Sequence, residues 1–337
     1  MTMLDHLKAL SALPGVSGDE GAVRAYIRDC CSALDCTVDA MGNVIVFKQG
    51  RRRTDKKILF AAHMDEVGFI ITAITDEGFL KFATVGGIDR RVILGKRVAV
   101  GPDRVPGIIG LKPVHLTTPE ERKRVPEVAE LYIDIGADSA EAAGRAVGLG
   151  DTAVFDTAPV EMRRHLAARA IDDRVGCAVM LQLLEEELPV DAYFVFTVQE
   201  EVGLRGAMAA GFRVQPDIAV ILEGTTAADL PGVSPDKQVC RVGEGVVIPF
   251  MDGGTVYDRG LYAVVTGLAD RLGVPWQTKN VVAGGTDGAS FQRAAHGASV
   301  VALAAPVRNL HTGYPVASVE DMEHLLTLAR EVLGELG

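Results

Sequence analysis

Residues 58–65 read ILFAAHMD, an unbroken apolar run that ends on His63 and, beyond Met64, Asp65. A short apolar run without polar alternation suits a strand covered on both faces, as in a parallel sheet. Three later runs have the same form. AYFVFTV (192–198) leads into Gln199, Glu200 and Glu201, and DIAVIL (217–222) leads into Glu223 and Gly224. ASVVALAAP (298–306) leads, after a short connection, to Asn309, Leu310 and His311. Helical patterns lie between and around these runs at Arg174 to Glu187, Gly260 to Leu272 and Gly288 to Ala295. Strands alternating with helices predict an α/β fold built on a mostly parallel sheet.

Working outward, Leu4, Leu7 and Leu10 recur at helical spacing until Pro14-Gly15 stops them. Ser17 and Glu20 form a capping-box pattern, S-G-D-E, that predicts a second helix through about residue 34. TVDAMGNVIVF then reads as extended chain with a turn at Gly42-Asn43. From 67 to 161 the character changes. VGFIITAI, FLKFATV, RVAVG, GIIGL, LYIDIG and DTAVFD are short β-like pieces separated by Gly, Pro and Asp. Two helical patterns interrupt them, PEERKRV and SAEAAGRAV. Frequent short strands with such punctuation predict a small β-barrel or sandwich. The expected organisation is a discontinuous α/β domain, 1–66 with 162–337, carrying an inserted β-rich domain at 67–161.

The chain holds 34 Lys+Arg against 45 Asp+Glu, a formal net charge of −11. That balance argues against a nucleic-acid partner, which needs a clustered basic face; Arg51-Arg52-Arg53 with Lys56-Lys57 is short enough for a solvated turn. Five cysteines, odd in number and without paired spacing, point to a reduced, cytoplasmic compartment. MTMLDHLKALSALPG lacks the long apolar core of a signal peptide, and no window offers the ~20 apolar residues of a membrane span.

In open α/β sheets, ligands bind beyond the carboxyl ends of the strands, and here each run leads to a His or a carboxylate. His63 and Asp65 are two apart and share a face of an extended chain. The carboxylate there could accept the second imidazole N–H of a metal ligand, or simply satisfy a core histidine. Asp172-Asp173 precede the apolar helix RVGCAVMLQLLEEE, as helix caps or as a metal-bridging carboxylate. Glu200-Glu201 place adjacent carboxylates at a buried strand end, costly without counter-charge. A divalent metal would supply that charge, one Glu ligating and the other free as a general base. Glu223 faces the same choice, and His311 is the second candidate imidazole. Two His and three carboxylates are a donor set for a pair of zinc-like ions, and a hydroxide between paired metals with a carboxylate base is an arrangement for aminopeptidase hydrolysis. No G-x-S-x-G elbow, phosphate-binding G-x-x-x-x-G-K-[ST] loop or H-E-x-x-H helix is present.

AAHMDEVGFI, ARAIDDRVGCAV, TVQEEVGLRGA, GGTDGASF and NLHTGYPVASVEDM, spanning residues 61 to 322 in this order, resemble the motifs of a known family. It is the co-catalytic di-metal aminopeptidases of the tetrahedral (TET) or glutamyl aminopeptidase type. GLKPVHLTTPEERKR also looks like part of that family's insert. The resemblance implies a catalytic domain with a mixed, mostly parallel sheet covered by helices. It also implies an inserted β-barrel used in homo-oligomeric assembly, often into tetrahedral dodecamers. By motif, His63, Asp172 and Glu223 would hold one divalent ion, zinc or cobalt, and Asp172, Glu201 and His311 a second. Glu200 would be the general base and Asp65 would orient His63. Glu223 stands where many members carry Asp, which bears on metal preference. Asp287 either contacts the site or substrate amine, or caps the following helix. The substrates implied are short peptides, trimmed from the N-terminus. The alternatives are a di-metal carboxypeptidase or N-acyl amino acid deacylase, a polysaccharide hydrolase, and a non-catalytic assembly subunit.

Overall fold

In a computed structural model describing residues 1–337, the four apolar runs form the centre of one sheet. Ile58–His63 lies between Ala192–Thr197 and Ile218–Thr226, and Ser299–Arg308 follows, each neighbour parallel to the next. Short strands extend the sheet antiparallel on both sides: Val44–Lys48 and Asp35–Val38 on one, Val316–Ser318, His165–Ala167 and Val160–Met162 on the other. The sheet is thus mixed, and parallel through its centre.

The absence of alternation in the sequence has its cause in packing. Ile58, Phe60 and Ala62 enter one core, while Leu59 and Ala61 enter another across the sheet. The first core is closed by the helices Met3–Ala12, Ile171–Glu185 and Val319–Leu336, the second by Arg205–Val214 and Gly288–Arg293. Fully burying a side chain such as Phe60 contributes about 1.5–3 kcal/mol. Ile171–Glu185 is buried on nearly every side and lies directly on the central strands. A Cβ at Gly176 would come within 2.7 Å of the Asp173 carboxylate and 2.9 Å of Ala62 Cβ, so this approach requires glycine.

Three local expectations change. The second helix is Gly21–Cys30, shorter than read, and Ser17 does not cap it. The Ser17 hydroxyl donates instead to Asp65 (2.6 Å), while Glu20 accepts the amides of Gly18 (2.7 Å) and Gln199 (3.2 Å). Distant partners thus displace the local capping box. Glu223 is not beyond its strand, which runs on to Thr226. Pairing with Ile58–His63 stops at Ile221, so Glu223 is uncovered on that side while still paired with Ser299–Arg308. PEERKRV forms a single 3₁₀ turn, Glu121–Lys123, whereas SAEAAGRAV does contain a helix, Ala140–Ala146, capped by Ser139.

The six β-like pieces of the insert become six strands: Gly68–Ile74, Leu80–Val85, Arg97–Val100, Val105–Gly110, Tyr132–Asp134 and Thr152–Phe155. They close into an antiparallel barrel, which leaves no open sheet edge. Its separate core holds Phe69 edge-on to both Phe82 and Phe155, each at 5.3 Å between ring centres. Where the chain enters and leaves the barrel, Glu66 is buried against Arg169 (3.1 Å) and Arg174 (3.4 Å). The same guanidinium groups donate to the carbonyls of Leu10, Ser11 and Leu13. No helix is long and apolar enough to cross a membrane.

Candidate active site

The carboxyl ends of the central strands bring the predicted polar residues together. Thr197 pairs with His63, which places Glu200 and Glu201, just past the end of their own strand, beside the end of the strand that carries His63. His63 ends its own strand and is almost fully buried. Its Nδ1 lies 3.1 Å from the Asp65 carbonyl and 3.5 Å from the Asp65 carboxylate. Its Nε2 faces Asp172 Oδ1 at 3.2 Å and Glu223 Oε1 at 3.4 Å. His311 repeats the arrangement from a loop. Its Nδ1 meets the Gly87 carbonyl at 2.7 Å, and its Nε2 faces Glu201 Oε1 at 3.2 Å and Asp172 Oδ2 at 3.6 Å. Asp172 therefore offers one oxygen to each imidazole group. A carbonyl on Nδ1 fixes the tautomer that leaves Nε2 free to coordinate.

Asp173, the other half of the acidic pair, takes the capping role. Its carboxylate accepts the Gly176 amide at 3.0 Å and the His63 amide at 3.1 Å, tying the helix start to the strand end. Asp65 reaches further than the imidazole. Its carboxylate accepts the amides of Glu200 (3.0 Å) and Glu201 (3.2 Å) as well as the Ser17 hydroxyl. Asp65 and Ser17 thereby set the backbone that carries both glutamates. The sequence carried no local sign of these links, or of the Gly87 carbonyl. Asp287 is buried beneath the site and accepts the Thr197 hydroxyl; it makes no capping bond to Gly288–Arg293, so the capping alternative is not realised. Its Oδ1 has no partner, and burial pushes its pKa up to about 6.

The electrostatics are those of a site short of positive charge. Burial disfavours an imidazolium at His63, yet Glu223, Asp172 and Asp65 outweigh it and raise its pKa well above the usual value. At His311 burial is again opposed, by Asp172 and Glu201, and the pKa rises to about 11. Burial raises Glu223 and Glu200 well above the carboxylate range, with neighbouring carboxylates adding to it. Asp172 is held low, against burial, by hydrogen bonds to the two imidazoles. Without another cation, protons must fill the deficit. Two imidazoles and three carboxylates, linked by nitrogen–oxygen contacts of 3.2–3.6 Å, form a donor set that fits divalent cations. A cleft of about 330 Å³ opens beside it, lined by His63, Asp172, Glu200, Glu201, Glu223 and His311 and by the segment Ala283 to Thr286. The Glu200 side chain makes no hydrogen bond within the chain and faces this space.

The profile of the M42 glutamyl aminopeptidases matches residues 42–328. The chain belongs to this family. As an M42 peptidase it is a hydrolase of peptide bonds, of the aminopeptidase class. The glutamyl aminopeptidase of Lactococcus lactis is 29% identical over 354 residues, covering 100% of this chain and 97% of its own. Aminopeptidase APDkam598 from the archaeon Desulfurococcus kamchatkensis superimposes with a TM-score of 0.93 at 34% identity, covering 99% of this chain and 94% of that one. The TET1 peptidase of Pyrococcus horikoshii, described as assembling into a tetrahedron or a large octahedral shell, gives 0.86 at 35% identity and covers 99% of each chain. The M42 fold accounts for both the mixed sheet and the closed barrel.

Proposed function

We propose that this M42 peptidase is a metal-dependent aminopeptidase that removes N-terminal residues from short peptides. The observation that carries the reading is the divided carboxylate of Asp172, one oxygen toward each imidazole, beside the unpartnered carboxylate of Glu200. His63, Asp172 and Glu223 would hold one divalent ion, and Asp172, Glu201 and His311 a second, zinc or cobalt. Bound there, such ions supply Lewis acidity toward a peptide carbonyl and lower the pKa of water toward neutrality.

The chain's own residues do the rest. Glu200 accepts a proton from the attacking water and returns it to the leaving amine. Burial and the neighbouring carboxylates raise its pKa, which makes it a stronger proton acceptor than a solvated glutamate. Asp65 holds the Glu200 and Glu201 amides, so base and ligand keep a fixed spacing. The Gly87 and Asp65 carbonyls orient the two imidazoles from behind. Asp287, buried under Thr197, supports the strand end, and a contact with the substrate amine is a further role for it.

We read residues 67–161 as an assembly domain on the catalytic unit formed by 1–66 and 162–337. Ile108, Val114 and Leu116 are exposed apolar side chains on it, suited to contacts in a homo-oligomer such as a tetrahedral dodecamer. Five free cysteines accord with a cytoplasmic setting.

The test is hydrolysis of aminoacyl-nitroanilides and of short peptides with free or acetylated N-termini, after chelation and after adding back zinc, cobalt or manganese. The expected result is cleavage that metal restores and N-acetylation abolishes. Equal cleavage of acetylated substrates, or indifference to chelation, would overturn the reading in favour of a deacylase or a glycan hydrolase.

A further inference from the structure

Lys279 is the only lysine or arginine among the residues that line the cleft. It is 7% exposed, and its Nζ donates to one acceptor within the chain, the Ala283 carbonyl at 3.1 Å. An ammonium carries three donors, and a buried one without counter-charge is costly. Two acidic residues that share the surroundings of Cys240 with Lys279 are engaged elsewhere. Asp229 is held by Arg308 and by the Val242 amide, and Asp321 accepts the amides of Gly243 and Gly245. Next to the lysine's acceptor, Gly284 and Gly285 have open space where a Cβ would stand. The catalytic end of the cleft presents carboxylates and imidazoles, so Lys279 gives the same cleft a second, positively charged pole.

We propose that Lys279 binds a carboxylate of the peptide substrate and makes the enzyme selective for substrates that present one there. This rests on the aminopeptidase reading of the same site. Two parts of a short peptide could supply the group, the side chain of an N-terminal Glu or Asp and the C-terminal carboxylate. A charge-assisted hydrogen bond in a half-closed cleft supports discrimination of about 10- to 100-fold.

The experiment compares kcat/KM of wild type, Lys279→Met and Lys279→Glu on two substrate pairs. Glutamyl- against leucyl-nitroanilide reports the side chain; Leu-Gly against its C-terminal amide reports the terminus. Each comparison is a ratio within one protein, so partial misfolding cancels. In wild type the carboxylate-bearing member of one pair should be preferred. The preference should fall about 10- to 100-fold in Lys279→Met, chiefly through KM, and invert in Lys279→Glu. The pair whose ratio moves identifies the source. If both ratios are the same in all three proteins, Lys279 has no such role, while the aminopeptidase reading stands. If the metal-loaded wild type cleaves none of the four substrates, that reading falls, and this proposal with it.

Discussion

The two imidazoles of the site face a shared carboxylate but are built in different ways. His63 is 2% exposed at its side chain and ends a central strand, oriented by a carbonyl two residues along. His311 is 28% exposed, sits in a loop with φ of 56°, and is oriented by Gly87, which belongs to the barrel segment. One half of the site is thus made within the α/β sheet, where packing already dictates position. The other half exists only where sheet and barrel meet. A motif can look symmetrical in sequence while its two ends depend on different parts of the fold.

The strongest way to probe this comparison is to remove the proposed base. Glu200→Gln should lower kcat by about 10²–10⁴-fold, the usual worth of a positioned base, while metal content by elemental analysis stays that of wild type. Lost metal would move Glu200 into the ligand set. Next, the halves can be separated. His311→Ala should reduce metal per subunit with little change in Tm, because its ring is partly solvated. His63→Ala should reduce metal and also destabilise by about 2 kcal/mol, since a buried ring leaves a cavity and unpaired carboxylates. Equal Tm losses in the two variants would break the contrast.

Metal affinity should also depend on pH with a definite sign. The pKa of His311, raised to about 11, and that of His63, raised well above its usual value, mean that the metal-free site carries protons on its imidazoles at neutral pH. Metal must displace them, so apparent affinity should rise with pH, by about tenfold per unit for each proton released. Chelator competition at pH 6, 7 and 8 measures this, and a flat profile would contradict it. The smallest effect is expected from Ser17→Ala, which removes one of the bonds holding Asp65. It should cost about 1 kcal/mol in chemical denaturation and touch the His63 half first.

Much of this was legible because the relevant signals are local. Apolar runs ending in His63 and Glu200-Glu201 marked strand ends, and Gly, Pro and Asp punctuation separated all six barrel strands. What escaped the sequence came from contacts between distant segments. Ser17 looked like a helix cap because Glu20 stands three residues on, but Asp65, 48 residues away, takes its hydroxyl. Glu223 looked like a strand end because apolar residues stop there; the strand continues since a neighbour on the other side still pairs with it. Glu121–Lys123 had helical composition but no apolar face to bury, and it stops at one turn. Gly87 had no signal at all, because its contribution is a backbone carbonyl.

The closed barrel also bears on the order in which the molecule assembles. His63 and Asp172 lie 109 residues apart in the chain, and joining them directly would close a loop of that length. Gly68–Ile74 pairs with Thr152–Phe155, near the two ends of the insert. Once the barrel has closed, only short tethers separate the two side chains, and the entropy of bringing them together is already spent within a unit that has its own core. Pulse-labelling hydrogen exchange should therefore find barrel amides protected no later than those of the central sheet, and protection in the reverse order would exclude this route. On that account, a long interruption of the catalytic sequence is what makes its two halves neighbours.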